Sequence, residues 1–303
     1  MSMVQTDKPM TADRAEAVLD ALAEAYPWVR TELLARTKFG RPITAAAIGA
    51  GDRRVLYSAA HHANEWLTAT VLLKFLEDYA EALENDGELA GIPARELYEK
   101  ATIFLVPMVN PDGVDLVTGV AAEEEQEQAR ALAAFYPNIP FPEGWKANLM
   151  GVDLNLQYPA GWLTAREIKF AQGFTRPGPR DFVGRFPLSQ PEVQALADYT
   201  QRIDPSLVIA WHSQGEVIYW QYGGIEVSGA WEMAERFASL SGYALEDTPY
   251  NSSFAGYKDW FIQTYRRPGF TIEVGTGENP LPVSQFDEIY AASLPILVAG
   301  AMG

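Results

Sequence analysis

Residues 55–66 read VLYSAAHHANEW, an apolar run followed directly by a short polar segment that contains His62 and Glu65. A His and a Glu three residues apart can point the same way from one turn, and a distant second histidine would complete three protein ligands for a catalytic Zn²⁺ with an open fourth position. The chain has three histidines in all, and the distant one, His212, also follows an apolar run. Most histidines are plain core or surface side chains, but this placement indicates a metal site formed by the fold.

Apolar runs of strand length recur along the chain and alternate with longer helical patterns. Runs of this kind are typical of strands that are buried on both faces of a sheet. The strand-like runs are 43–48, 55–60, 103–109, 207–211 and 270–274. One helical pattern begins after Thr11, which we predict to be its N-cap, and two others cover 67–83 and 190–203. The alternation predicts an α/β fold: a three-layer α/β/α sandwich with a central mixed, mostly parallel twisted sheet, in a single domain spanning residues 1–303.

The candidate functional side chains lie at the ends of these predicted strands. His62 and His212 follow two of the runs, and Glu273 lies within the run FTIEV at 270–274. In open α/β sheets, ligands bind in the crevice beyond the carboxyl ends of the strands. Glu273 could instead be salt-bridged or cap a helix, but a buried unpaired carboxylate is costly and points to a function.

Composition excludes several classes of partner. The 303 residues are 48% hydrophobic, contain no cysteine and carry a formal net charge of −17 at pH 7. Such a charge repels nucleic acid phosphates and anionic lipid headgroups, so we expect neither nucleic acid nor membrane as a partner. Residues 1–13 lack the pattern of a signal peptide, which predicts a cytoplasmic protein while leaving an exported form open. The sequence gives no oligomeric state.

Two segments between the predicted elements stand out by composition. Residues 113–142 form an acidic, Ala-rich insert with Glu123, Glu124, Glu125 and Glu127, which we expect to be a solvated helix. Residues 173–187 are rich in Gly, Pro and Arg and predict a long surface loop. We assign no function to the insert.

Several short motifs occur in an order that resembles the zinc metallocarboxypeptidase family of the carboxypeptidase A type. They are His62 with Glu65, the turn Asn110-Pro111-Asp112-Gly113, the run Gly151-Val152-Asp153-Leu154-Asn155, His212 and the late Glu273. The resemblance covers most of the chain. It implies a metallocarboxypeptidase-like sandwich, and one Zn²⁺ per chain that is held by His62, Glu65 and His212. It further implies that Glu273 is the general base for a water activated by the metal.

The same resemblance assigns roles to the neighbours of the metal. Asp153 matches the residue that accepts a hydrogen bond from the first metal histidine, which leaves His61 as a neighbour that packs beside the site. Asn155 matches the asparagine that binds the substrate carboxylate. Tyr250 resembles the mobile tyrosine that closes over substrate, with Tyr257 as the alternative.

Two departures from the digestive members of the family concern basic residues. An arginine that grips the C-terminal carboxylate of the peptide is replaced by Leu156, which cannot pair with a carboxylate. Lys146 stands where members commonly place the arginine that stabilises the oxyanion; it supplies the charge without the forked geometry, or it is a plain surface lysine. Ordinary C-terminal exopeptidase activity is therefore disfavoured.

Longer stretches resemble a bacterial branch of the family, the γ-D-glutamyl-diamino acid endopeptidase type. These stretches are VDLNLQYP at 152–159, KDWFI at 258–262, TIEVG at 271–275 and NPLP at 279–282. The branch implies hydrolysis of the bond between γ-D-glutamate and meso-diaminopimelate, in a small peptide or muropeptide substrate. Such a substrate carries several carboxylates, and basic residues are available for them, although each is more often a solvated side chain: Arg166, Arg176, Arg180 and Arg185.

Other functions fit parts of the same pattern. An ordinary metallocarboxypeptidase or a zinc amidohydrolase of small acyl-amino acids would use the same metal ligands and base. A catalytically inactive binding protein is disfavoured because the ligands and the base are all present.

Overall fold

An eight-stranded sheet forms the centre of the protein, of which the computed structural model describes residues 2–303. A separate pair of short strands, Glu88–Leu89 and Ile92–Pro93, forms a small second sheet. The strands are β1 (Arg30–Arg36), β2 (Pro42–Gly49), β3 (Arg53–Ala59), β4 (Glu88–Leu89), β5 (Ile92–Pro93), β6 (Ala101–Val106), β7 (Leu207–His212), β8 (Val217–Tyr219), β9 (Ala244–Glu246) and β10 (Gly269–Glu273).

The main sheet is mixed, with a parallel centre. Its order is β1-β2-β6-β3-β7-β10-β8-β9. The pairs β6 with β3, β3 with β7, β7 with β10 and β8 with β9 are parallel, and the other neighbours are antiparallel. Because β3, β7 and β10 run in the same direction side by side, their carboxyl ends meet at one edge of the sheet.

Helices cover both faces of this sheet. They are α1 (Ala12–Ala25), α2 (Leu67–Glu84), α3 (Ala94–Lys100), α4 (Pro111–Val117), α5 (Glu123–Ala133), α6 (Trp162–Ala171), α7 (Pro191–Ile203), α8 (Ala230–Ser241), α9 (Tyr257–Tyr265) and α10 (Phe286–Met302). Thr11 is the N-cap of α1, as predicted, and its side chain accepts a hydrogen bond from Arg14 N.

Successive side chains of the central strands point into two separate cores. Val55 and Tyr57 of β3 belong to a core that includes residues of α1, α2 and α10. Leu56 belongs to a second core on the opposite face, which includes residues of α7 and α9. This alternation is the geometry of a strand buried on both faces, and it confirms the predicted three-layer sandwich with a mixed sheet.

Some elements were not predicted. Strand β1 lies at the edge of the sheet and is mostly exposed, so its sequence carries no apolar run.

The expected acidic helix forms as α5 but is not fully solvated, because Arg41 donates to both carboxylate oxygens of Glu125 at 2.8 and 2.7 Å. The same guanidinium also donates to Asp115 at 2.6 Å.

The Gly- and Arg-rich segment at 173–187 contains no helix or strand, but it is not simply a surface loop. Phe182 and Val183 are buried, and the segment runs beside residues 146–157. Gly178 packs against the ring of Tyr136, where a Cβ atom would lie 2.1 Å from a ring carbon. Residues 173–187, which we name the Arg180 wall, are therefore packed against the acidic insert.

No helix within residues 2–303 combines the length and the apolar character that crossing a membrane requires.

Candidate active site

The turn after β3 places His62 and Glu65 together at the edge of the sheet. Ala60 adopts a left-handed φ of 49°, and a single 3₁₀ turn covers Ala63–Glu65 before α2 begins. Thr68 Oγ1 accepts a hydrogen bond from Ala60 N at 3.0 Å and donates to Glu65 O at 2.7 Å. The Thr68 side chain thus ties the start of the turn to its end.

Strand pairing brings His212 to the same place. β7 lies next to β3 in the sheet, with Trp211 opposite Ala59, so His212 ends its strand beside the turn. Its Nδ1 is 2.9 Å from Glu65 Oε2, and His62 Nδ1 is 2.9 Å from Glu65 Oε1. One ligand atom from each of the three residues lies within 4.8 Å of the others, and the group could hold a metal ion.

The hydrogen bonds around His62 select the tautomer that a metal needs. Asp153 Oδ1 lies 3.2 Å from His62 Nε2, so we assign a ring proton to Nε2, which leaves Nδ1, on the side of Glu65, as the nitrogen that would give up its proton to bind a metal. The other Asp153 oxygen accepts a hydrogen bond from Asp181 N at 3.1 Å. The carboxylate is therefore anchored on both sides and holds the imidazole in place.

The electrostatics of the group favour a bound cation. Burial disfavours the charged imidazole of His62, yet the carboxylates of Glu65 and Asp153 outweigh this effect and raise its pKa to about 9. Burial acts against the ionised form of Glu65 as well, but the neighbouring His62, Lys146 and His212 hold its pKa well below the usual range. Two imidazole nitrogens and an ionised carboxylate are a donor set that suits Zn²⁺.

A cavity of about 230 Å³ opens onto this group. Two groups of residues line this cavity: those expected to act in catalysis or substrate binding, and charged residues to which the sequence assigned no role. The lining includes His62, Lys146, Asp153, Asn155, Leu156, Lys169, Arg180, Asp181, Lys258, Asp259 and Glu273.

Lys146 reaches the metal group directly. Its Nζ lies 2.9 Å from Glu65 Oε1. Burial disfavours its charge, but the carboxylates of Glu65 and Glu273 prevail over burial and over the nearby Arg180 and raise the pKa of Lys146. The ammonium is therefore charged at neutral pH and faces the cavity.

Glu273 lies beside the metal group without a hydrogen-bond partner. It ends β10 directly opposite His212 of β7, and no side-chain hydrogen bond joins it to another residue within 2–303. Burial, with a contribution from Glu65, raises the pKa of its carboxyl group against the opposing effect of His212. An unpaired carboxylate with a raised pKa is suited to accept a proton near neutral pH.

Asn155 and the two tyrosines occupy different positions relative to the cavity. Asn155 lines it, and its Oδ1 accepts a hydrogen bond from Tyr257 N at 3.0 Å, which leaves the amide NH₂ group for a ligand. Tyr257 is fully buried and its hydroxyl is 2.7 Å from Thr200 Oγ1, so its side chain is tied into the core. Tyr250 is 68% exposed and packs against Phe254; it does not line the cavity, whereas its neighbour Pro249 and Tyr257 do.

His61 does not belong to the metal group. It is fully buried, its Nε2 is 3.3 Å from Tyr158 Oη, and its ring stacks on His212 at 5.5 Å between centroids. Burial, with the neighbouring histidines, lowers its pKa well below the ordinary value. The side chain is thus a neutral packing partner behind the metal ligand.

Charged residues around the cavity include some that sequence reasoning missed. Lys169 and Asp181 form an ion pair at 2.6 Å, and Lys258 and Asp259 form another at 2.5 Å. The second pair lies in the stretch 258–262, whose family resemblance predicted no role for either residue. For Lys169 the sequence held no signal, because α6 itself was not predicted.

A His-Glu-His group at the carboxyl ends of parallel strands, with a free carboxylate beside it, defines a metallopeptidase type of site. Residues 15–294 match the zinc carboxypeptidase family Peptidase_M14, and the chain belongs to this family. It is therefore a zinc metallopeptidase, and Zn²⁺ is its cofactor.

Individual relatives agree with this membership. The gamma-D-glutamyl-L-diamino acid endopeptidase 1 of Lysinibacillus sphaericus is 44% identical over 279 residues, which cover 92% of this chain and 69% of the relative. Among solved structures, thrombin-activatable fibrinolysis inhibitor superposes with a TM-score of 0.77 at 17% identity, covering 99% of this chain and 76% of that chain. Carboxypeptidase A from Helicoverpa armigera gives 0.73 at 19% identity, covering 98% and 75%. These likenesses confirm the metallocarboxypeptidase-like fold.

Proposed function

We propose that the protein hydrolyses the bond between γ-D-glutamate and meso-diaminopimelate in small peptides or muropeptides derived from cell walls. The observation that carries this proposal is the 44% identity, over most of the chain, to a relative named as a γ-D-glutamyl-L-diamino acid endopeptidase. The matched region covers 92% of the chain.

The chemistry of the cavity wall supports this substrate over an ordinary C-terminal peptide. Leu156 lines the cavity and is 8% exposed. An apolar side chain there cannot grip the terminal carboxylate that every ordinary carboxypeptidase substrate presents. The site must therefore recognise its substrate through other groups.

The proposed reaction uses the side chains already described. His62, Glu65 and His212 would hold a zinc ion, which would supply the Lewis acidity that polarises the scissile carbonyl and makes a water more acidic. Glu273 takes the proton of the attacking water and returns it to the leaving amine. Lys146 places a positive charge beside the carbonyl oxygen as negative charge develops there.

The remaining roles follow from position. Asp153 keeps His62 in the tautomer that binds metal, and Asn155 offers its amide NH₂ group to the substrate. Tyr250, exposed next to the cavity-lining Pro249, is the residue we propose to close over it. We further propose that the chain is a single catalytic domain, because both cores pack on the two faces of one sheet.

A digest with defined substrates tests the proposal. The protein, loaded with Zn²⁺, is incubated with a γ-D-Glu-meso-diaminopimelate peptide and with α-linked peptides whose C-termini are free or amidated. We expect cleavage of the γ-linked peptide and little of the others. Cleavage restricted to free α-linked C-terminal residues would instead identify an ordinary carboxypeptidase, and stoichiometric zinc without any cleavage would identify a binding protein.

A further inference from the structure

Arg180 is a cavity-lining cation whose terminal nitrogens are free. Its Nε donates to Asp181 Oδ2 at 2.9 Å, and the other oxygen of that carboxylate is 2.6 Å from Lys169 Nζ. Neither terminal nitrogen of the guanidinium hydrogen-bonds to a residue within 2–303. The Arg180 side chain is 38% exposed, whereas those of Asp181 and Lys169 are 15% and 8% exposed. The buried pair therefore holds the guanidinium by one edge and leaves its fork open.

The other cations of the cavity wall are already paired. Lys169 is bound to Asp181, and Lys146 Nζ lies 2.9 Å from Glu65. Lys258 donates to Gln221 O at 2.7 Å and to Asp259 at 2.5 Å. Among the basic residues that line the cavity, Arg180 is the one with an unused pair of donors, and this planar fork matches a carboxylate.

The backbone that carries Arg180 is fixed against the site. Pro179 O accepts hydrogen bonds from Lys146 N at 2.7 Å and Ala147 N at 2.9 Å. Asp153 N donates to Phe182 O at 2.9 Å. Together with the bond from Asp181 N to the Asp153 carboxylate, these contacts tie residues 179–182 to the strip that bears Lys146 and Asp153. A donor held this firmly binds a ligand with little ordering cost.

A γ-linked glutamyl residue presents a carboxylate at a matching position. Because the side-chain carboxyl forms the scissile bond, the α-carboxylate stays free, with three carbons between it and the scissile carbonyl, a reach of about 5–6 Å when extended. Arg180 and Lys146 line the same cavity, and Lys146 N donates to the residue directly before Arg180, so a substrate with its carbonyl oxygen at Lys146 can direct this carboxylate towards Arg180. We propose that Arg180 binds the α-carboxylate of the γ-D-glutamyl residue and makes the enzyme select acyl groups that carry it. This inference rests on the proposed function.

A pair of substrates that differ only at this carboxylate tests the assignment. One is a γ-D-Glu-meso-diaminopimelate peptide with the glutamyl α-carboxylate free, and the other has it as the carboxamide. We expect the wild type to prefer the free acid by about 10- to 100-fold in kcat/KM, the range of a hydrogen-bonded charge pair. Arg180→Gln should lose this preference mainly through a higher KM for the acid, while Arg180→Lys retains part of it. Arg185→Gln, an exposed arginine of the same loop, is the matched control and should keep the full preference.

Other outcomes would overturn the assignment. An equal loss on both substrates in Arg180→Gln would mean that Arg180 only supports the strip bearing Lys146 and Asp153. A third peptide, amidated on the carboxylates of the diamino residue, separates the remaining possibility: if Arg180→Gln abolishes discrimination against this peptide instead, the arginine binds the leaving group. Failure of the wild type to cleave any γ-linked peptide would overturn the proposed function, and this inference with it.

Discussion

Glu273 lies directly opposite His212 at the point where the parallel strands β10 and β7 end side by side. The residue proposed as base and one proposed metal ligand are thus placed by the same sheet register. Because side chains at paired positions of neighbouring strands point to the same face, neither residue needs a loop to bring it to the site.

Glu273→Gln should abolish turnover while leaving metal binding intact. The amide keeps the size of the side chain but cannot accept the proton, so we expect kcat to fall by about 10²- to 10⁴-fold. Zinc content, measured on the purified variant, should stay near one per chain. Turnover near the wild-type rate would remove Glu273 from the mechanism.

His62→Ala should lose zinc, whereas His61→Ala should keep it. His62 supplies one of the three donors, and His61 packs behind His212 without facing the group. Metal analysis after dialysis compares the two variants directly. The opposite result, with zinc lost only from His61→Ala, would shift the metal motif by one residue.

Asp153→Asn should weaken zinc binding by about 10- to 100-fold, as expected when the partner of a metal histidine is removed. The amide can still accept the bond from Asp181 N, but it no longer carries the charge that holds the proton on His62 Nε2. Competition with a chelator measures the affinity. Unchanged affinity would limit Asp153 to supporting the loop.

Lys146→Met should lower kcat by about 10²- to 10³-fold, the cost of losing one oxyanion donor. Zinc affinity should be equal to or higher than in the wild type, because a positive charge 2.9 Å from Glu65 is removed. Kinetics and chelator competition on the same preparation check both parts. Weaker zinc binding with normal kcat per bound zinc would indicate that Lys146 orients the ligand instead.

Glu192 makes stability depend on pH. Burial raises the pKa of its carboxyl group from 4.5 to about 7, and one of its oxygens is buried without a partner while the other accepts from Asn148. Between these pH values the folded state holds a proton that the unfolded state has lost, so the free energy of unfolding falls as pH rises. The contribution is complete below pH 4.5 and is lost as pH rises through about 7.

Glu192→Gln should therefore stabilise the protein at pH 8, by about 1–3 kcal/mol, and have little effect at pH 5. Denaturant unfolding at the two pH values measures the difference. Glu235→Gln, at an exposed position on α8, is the control and should show no such dependence on pH. A variant no more stable than the wild type at pH 8 would mean that Glu192 is not held neutral.

The sequence predicted the sheet and the metal group because both have local signals. The central strands are apolar throughout, and His62 and Glu65 are neighbours in one turn, with His212 at the end of a similar run. Strand β1 lacked this signal because it is exposed. The wall around Arg180 could not be predicted, because a run of Gly, Pro and Arg is the same whether it lies in solvent or, as here, bonds to Lys146 and Asp153. Tyr257 was a reasonable alternative to Tyr250 by sequence, and its burial became visible only in three dimensions.

The packing of Gly178 on Tyr136 has a consequence for anyone who redesigns this enzyme. The acidic insert and the Arg180 wall are separate in sequence, yet they meet at a contact so close that a Cβ atom on Gly178 would displace the ring of Tyr136. A loop transplanted from a relative without the insert that it packs on would lose this contact. The two segments should be exchanged together, as one cassette, when the substrate preference of one member is grafted onto another.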